Sequence, residues 1–353
     1  MDARRENLSR REPGAWRRFA HIRIAEAAAR LAGVVRRTPI VAIERRTSDD
    51  PRIELRAKLE CRQETGSFKA RGAWNQISQL SPAERRAGVV CASSGNHGKA
   101  LAWAAQRAGV PATIVMPANA YPNKIQACRD HGAEVVLAPT REQADVECAT
   151  RVKAGWTLVH PYDSERTIQG AGTVGLEIAE QWPEVDVVVV PVGGGGLVSG
   201  TSLALRQTLG DRVFIVGAEP KGAPSLTRGL AAGKPELLEK IESKVQGLTP
   251  LYSGQINIDI ARAAVDAVVL FDDEAAFAGQ KRLVAQGEVA EPAGAAAVGL
   301  VLAGLLPARI LEGRSASRPL RVVAVVSGGN PDPTQLESVR AEVEREKTSP
   351  AAR

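Results

Sequence analysis

The sequence predicts an α/β fold with mostly parallel sheets, on three observations. Short apolar runs alternate with helix-period patterns along nearly the whole chain, the mark of strands and helices taken in turn. Residues 185–190 are valines broken by one aspartate, as in a strand covered on both faces. Glycine-rich turns join strand ends to helix starts at more than one place.

In chain order, residues 88–93 read as a buried strand and about 97–108 as the helix after it. Residues 112–116 form a second strand, ended by Pro117. Residues 134–138 form a third, with a helix behind it, and 156–160 a short fourth. Residues 173–181 are helical. The valine run follows, then a helix opening near Leu197, then strands at 213–219 and 322–327. Residues 222–260 are less regular and carry Gly, Pro and Ser, as in a surface connection or a substrate-shaping region. From about Pro331 one helix and a frayed tail are expected. There is no fixed-period repeat and no low-complexity tract.

A length of 353 residues allows two domains or one large one. Hydrophobic residues make up 44% and charged residues 24%, ordinary for a soluble globular protein. Aromatics are scarce at 4% while Ala and Gly abound, which predicts close packing through small residues. Part of the +6 net charge lies near the start, where Arg4, Arg5, Arg10, Arg11, Arg17 and Arg18 face only Asp2, Glu6 and Glu12. Such an arm either binds acidic partners or is a solvated extension. Thin aromatic interleaving favours the extension, with no nucleic-acid partner. The four cysteines show no C-x-x-C spacing, which fits a reducing compartment rather than a metal cluster. The first residues lack an apolar signal core, and residues 293–306 are apolar but too short to span a bilayer. A cytoplasmic protein without membrane contact is expected.

Five segments carry chemistry. Residues 191–200, P-V-G-G-G-G-L-V-S-G, follow the valine strand and open a helix. Successive glycines let backbone N–H groups converge, and the helix N-terminus adds positive potential. The segment reads as a phosphate cradle or a flexible turn. It is neither a Walker A loop nor G-x-G-x-x-G. Residues 93–98, S-S-G-N-H-G, offer donors for a carboxylate, or Ser94 or Asn96 is simply a helix cap. In residues 64–72, E-T-G-S-F-K-A-R-G, Lys69 follows an aromatic at a helix start. A desolvated lysine there can form a Schiff base; spacing alone equally allows an exposed helix lysine. Residues 325–330, V-V-S-G-G-N, and 291–296, E-P-A-G-A-A, are turn punctuation when taken singly.

In this order, from about Arg37 to Asn330, the five resemble the serine/threonine dehydratase and serine racemase family of fold-type II pyridoxal-phosphate (PLP) enzymes. The resemblance implies a tryptophan synthase β-like architecture, two α/β domains with the cofactor in the cleft. The large domain would comprise residues 37–77 and 163–335, and the small mobile domain 78–162. Residues 1–36 would be the basic extension and first helix, and 336–353 the C-terminal helix and tail. Lys69 would hold PLP as a Schiff base with Phe68 packed near it. Asn96 would meet the ring hydroxyl oxygen, Gly193, Gly194, Gly195, Gly196 and Leu197 the phosphate, and Ser327 the pyridine nitrogen. Ser94, Asn96 and His97 would present donors to the substrate carboxylate, and Gly247 would lie by the substrate. Lys69 would act on the Cα proton, and Ser94 would be the second catalytic residue.

The implied activity is a lyase converting a 3-hydroxy amino acid such as threonine, serine or a bulkier analogue to a 2-keto acid and ammonia. The alternative is a racemase or a β-replacement or threonine synthase-type enzyme. The resemblance also implies a homodimer. Three departures matter. Glu219 and Ala223 match the family's cation site, but Ser225 stands where racemases place an aspartate, so no metal ion is expected. Tyr162 stands after His160-Pro161 where racemases usually have asparagine, which leans toward a dehydratase. Residues 246–257 differ from the usual A-D-G segment, which points to a bulkier or more polar substrate.

Overall fold

The computed structural model describes residues 11–348. Among these residues the strands are β1 (Ile40–Ala42), β2 (Ile53–Leu59), β3 (Val89–Ala92), β4 (Ala112–Pro117), β5 (Glu134–Ala138), β6 (Thr157–Leu158), β7 (Val187–Pro191), β8 (Phe214–Pro220), β9 (Ala267–Phe271) and β10 (Leu320–Val326). The first helices are α1 (Ile24–Leu31), α2 (Lys69–Ile77), α3 (Pro82–Ala87), α4 (Asn96–Ala108), α5 (Pro122–Arg129) and α6 (Arg141–Lys153). They continue as α7 (Glu165–Gln181), α8 (Gly196–Leu209), α9 (Ser225–Ala232), α10 (Gln255–Ala264), α11 (Asp273–Ala285), α12 (Pro292–Leu302) and α13 (Pro333–Thr348).

The strands form two sheets. The larger runs β1-β2-β10-β7-β8-β9 and the smaller β5-β4-β3-β6. Every pairing is parallel except β1 with β2. Side chains alternate between sheet faces, and both faces of the larger sheet are covered. Val187, Val189, Val322 and Ala324 pack with Ala293 to Val301 of α12. Val188, Val190, Val323 and Val325 pack instead with α7 and α8 through Val174, Ile178 and Val198. In the smaller sheet Val89, Cys91 and Ile114 meet α2 and α4, while Val90 and Val115 meet α6.

Small residues bring the helices together, as the composition predicts. A Cβ on Gly200 of α8 would lie 2.3 Å from the Ile168 carbonyl oxygen of α7. One on Gly299 of α12 would fall within 1.8 Å of the Ala275 carbonyl oxygen of α11. No side chain fits at either crossing.

A buried ionic cluster ties α2 to the larger sheet. The Arg71 guanidinium donates to Glu60 at 2.7 and 2.8 Å and to Glu177 of α7 at 2.6 and 3.0 Å. Lys58 of β2 pairs with the same Glu177 and donates to the Thr38 carbonyl at 2.7 Å. Two cations thus balance two carboxylates in a site closed to water.

Several sequence expectations shift. The strand expected at 156–160 shrinks to β6, which pairs only with β3. The helix expected at 173–181 begins at Glu165, two turns earlier. The irregular 222–260 stretch contains α9 and the first half of α10. The basic arm is docked from Arg11 onward rather than solvated. Arg11, 8% exposed, pairs with Asp266 at 3.0 Å and also with Asp211, and Trp16 and Phe19 pack on Ile22 and Ile24. Arg4, Arg5, Arg10 and the end of the expected tail lie outside the described residues. Among the described residues no helix is long and apolar enough to cross a membrane.

Candidate active site

Parallel strands collect ligand-binding loops at their carboxyl ends, and both sheets do so here. The segments after β3, β4, β5 and β6 supply Ser93 to Asn96, Asn119 to Tyr121, Arg141, and His160 to Tyr162. Those after β7 and β10 supply Gly193 to Leu197 and Ser327. All of them line one cavity of about 1030 Å³, with Lys69 and Phe68 in its wall. Every residue expected from the sequence to bind cofactor or substrate lines it, Gly247 included.

Lys69 is the first residue of α2. Its Nζ donates to the Pro161 carbonyl at 2.6 Å and lies 5.0 Å from the Phe68 ring centre. No carboxylate pairs with it among the described residues. Loss of water without a counter-charge pulls the amine down to about 8. The turn holding it is pinned to β10: the Phe68 N–H donates to the Ser327 carbonyl at 3.1 Å, and Ser67 bridges to Gly328.

Across the cavity Gly195 caps α8 with φ +95°, a conformation glycine adopts readily. None of the N–H groups of Gly193 through Leu197 finds an acceptor among the described residues. They gather at the N-terminus of a 14-residue helix, which favours an anion. The Tyr162 ring lies flush on this loop, and a Cβ on Gly194 would fall 2.3–2.5 Å from its ring atoms. Alanine at Gly194 is therefore expected to push the ring away and cost about 1–3 kcal/mol, read by chemical denaturation, with faster loss of a bound phosphate ligand on dialysis.

The S-S-G-N-H-G loop is arranged differently from a simple cap. Gly95, not Ser94 or Asn96, is the cap residue of α4, and the side chain that serves the helix start is that of Ser93, whose Oγ accepts the Gly95 and Gly98 N–H groups at 3.3 Å. Asn96 Nδ2 donates to Glu291 Oε1 at 2.6 Å, and its Oδ1 accepts from Asn330 Nδ2 at 2.7 Å. His97 is 3% exposed and its Nε2–H donates to the Val159 carbonyl at 2.7 Å. Burial and the Lys69 charge push it down to about 3, so the ring is neutral. What His97 offers the cavity at the helix start is its backbone N–H rather than an imidazolium. Ser94 and Ser327 both line the cavity.

Glu219, Ala223 and Ser225 do not converge on an open position. Leu226 N–H and Thr227 N–H donate to the two Glu219 oxygens at 2.6 and 3.0 Å, and the Thr227 hydroxyl adds a third bond at 2.6 Å. Ser225 Oγ sits 3.0 Å from Ser253 Oγ. Burial raises the Glu219 carboxyl to about 7.

Sequence reasoning gave no role to several cavity residues. Glu291 was legible only as the start of a helix; burial raises its carboxyl, and it orients Asn96. His160 accepts the Asp163 N–H on Nδ1 at 2.8 Å and is pushed down to about 4 by burial and by Lys69. Tyr252 and Arg141 also face the cavity. Tyr252 lies in the departing 246–257 segment and Arg141 in no motif, and the place of each depends on which loops the two sheets bring together.

A desolvated, unpaired lysine amine and a cradle of free N–H groups in one cavity define a site suited to a phosphate-bearing cofactor held through a lysine. The chain belongs to the family described as pyridoxal-phosphate dependent enzyme, whose model matches residues 31–328, and pyridoxal 5′-phosphate is its cofactor. It is 39% identical over 319 residues to the L-threonine ammonia-lyase of Thermotoga maritima, covering 90% of this chain and 77% of that one. It is 37% identical over 286 residues to the phenylserine dehydratase of Ralstonia pickettii, covering 80% and 86%. Its structure superposes on maize serine racemase with a TM-score of 0.81 at 35% identity, covering 92% and 97% of the two chains. The fold-type II architecture expected from the motifs is therefore the observed one.

Proposed function

We propose that this protein dehydrates a 3-hydroxy amino acid, releasing a 2-keto acid and ammonia. The observation that carries the reading is the placement of the unpaired Lys69 amine in one cavity with the acceptor-free N–H groups of residues 193–197. The relatives named as ammonia-lyases and dehydratases support the reaction type.

Lys69 would hold the cofactor, which supplies the electron sink when bound. The N–H groups of Gly193 to Leu197 would hold its phosphate, Phe68 would pack against its ring, and Ser327 would face the pyridine nitrogen. Asn96, fixed by Glu291 and Asn330, would stand at the ring hydroxyl. Ser94, Asn96 and the His97 N–H would bind the substrate carboxylate at the start of α4, with Gly247 on the substrate's other side. Released Lys69 Nζ, with its pKa near 8, suits removal of the Cα proton close to neutral pH. The Cα–H and Cβ–O bonds break with loss of water, and hydrolysis then frees ammonia.

Residues 78–162 would act as a mobile body excluding water, a reading supported by the separate sheet of β3 to β6. A homodimer and a cytoplasmic location belong to the same reading and rest on family resemblance. No metal ion takes part, since the Glu219 oxygens already carry three hydrogen bonds. Chelation with EDTA is expected to leave turnover unchanged.

The test is a panel of D- and L-3-hydroxy amino acids with keto-acid detection on the cofactor-loaded protein. Keto acid from at least one member supports the reading. Inversion at Cα without keto acid, seen by chiral chromatography, replaces it with racemisation, the reading favoured by Ser94 sharing the cavity with Lys69.

A further inference from the structure

The cavity of about 1030 Å³ takes the cofactor as well as the substrate, so it is the character of its lining, not its volume, that bears on the substrate side chain. Its wall beyond Lys69 is aromatic. The His160 and Tyr162 rings meet edge to face at 4.7 Å and 86°, and Tyr162 meets Tyr252 at 6.1 Å and 71°. These separations fall within the range aromatic pairs prefer. Tyr121, 45% exposed, faces the same space from the loop after β4.

The row is held rigidly. Tyr162 lies on Gly194, and its carbonyl accepts Asn257 Nδ2 at 3.0 Å. Tyr252 precedes the buried Ser253, whose Oγ lies 3.0 Å from Ser225 Oγ. Leu248, Pro250 and Leu251 extend the wall beside Tyr252 with apolar surface. The competing feature is a set of cations on the same wall, Arg141, Lys124 and Lys153, none with an ion-pair partner among the described residues. Lys124 Nζ lies 5.4 Å from the Tyr121 ring centre. Asp145, one turn on from Arg141 along α6, lines the same cavity and offsets part of this charge. An anionic side chain is therefore the alternative that the experiment has to separate from an aromatic one.

We infer that Tyr162 and Tyr252, faced by Tyr121, form a subsite for an aromatic ring carried on the substrate Cβ. Aryl-substituted 3-hydroxy amino acids are then better substrates than threonine or serine. The inference rests on the dehydratase reading and names its substrate class. A ring placed there continues the edge-to-face row and covers half-buried tyrosine surface, whereas a methyl group leaves that surface wet.

The experiment compares kcat/KM for threo-phenylserine, threonine and threo-3-hydroxyaspartate on wild type, Tyr252→Ala, Tyr252→Phe and Arg141→Ala holoenzymes. Wild type is expected to favour phenylserine over threonine by at least about tenfold. Tyr252→Ala should cut that ratio by about tenfold, mainly through the KM for phenylserine, and Tyr252→Phe should keep it within about threefold. Threonine as the better substrate, or a parallel fall for both substrates in Tyr252→Ala, overturns the inference. So does hydroxyaspartate as the preferred substrate, whether or not its turnover is lost in Arg141→Ala. Turnover of none of the three defeats the dehydratase reading instead. The subsite is then judged by spectral titration with phenylserine: weaker affinity in Tyr252→Ala keeps it, and unchanged affinity overturns it.

Discussion

Lys69→Ala is expected to lose the visible absorption band of the cofactor-loaded protein together with keto-acid production. Removal of the base alone costs about 10²–10⁴-fold in rate, and loss of the covalent attachment adds to it. The unpaired state of the amine also gives a pH signature. The neutral form attacks the cofactor aldehyde, and burial lowers the Lys69 pKa from 10.5 to about 8. The neutral fraction therefore rises about tenfold per pH unit below 8 and levels off above it. Stopped-flow loading of cofactor-free protein should follow that curve. A rate still climbing steeply from pH 9 to 10 would mean an ordinary, solvated lysine.

Arg71→Met is expected to destabilise the protein by about 3–5 kcal/mol, because it strands buried carboxylates with Lys58 as their remaining cation. Glu60 is fully enclosed, and the neighbouring Arg71 and Lys58 hold its carboxyl below the usual range. Chemical denaturation measures the loss. Adding Glu60→Gln to Arg71→Met removes one of the stranded charges and should recover part of the stability. If the single variant unfolds like wild type, the cluster is not closed to water.

The parts of the fold that were legible are those written in uninterrupted apolar residues. Strands β3, β4, β7, β8 and β10 are short runs covered on both faces, and the loops after β3, β7 and β10 hold the glycine and serine motifs. Strand β5 was read from its apolar run although it is a partly exposed edge strand, and β9, equally apolar but followed by no such motif, was not. Strand β2 was not legible, because Glu54, Arg56 and Lys58 alternate with its apolar residues and make it read as solvent-facing. Lys58 instead points into the ionic cluster, and only tertiary structure supplies its partners, Glu177 and Thr38. The site divides in the same way. Lys69, the glycine loop and Ser327 sit in local motifs. Glu291, His160, Tyr252 and Arg141 come from four distant segments, and their convergence is set by the arrangement of the two sheets.

Helix α2 has two unlike sides. Arg71 and Asn75 bind it by charge and hydrogen bonds toward α7, whereas Ala70, Ala73 and Ile77 rest on the core of the smaller sheet. One side is riveted and the other greased. A smaller sheet that shifts over the cleft would glide across alanine methyl groups, while Lys69, two residues from the rivet, keeps its place.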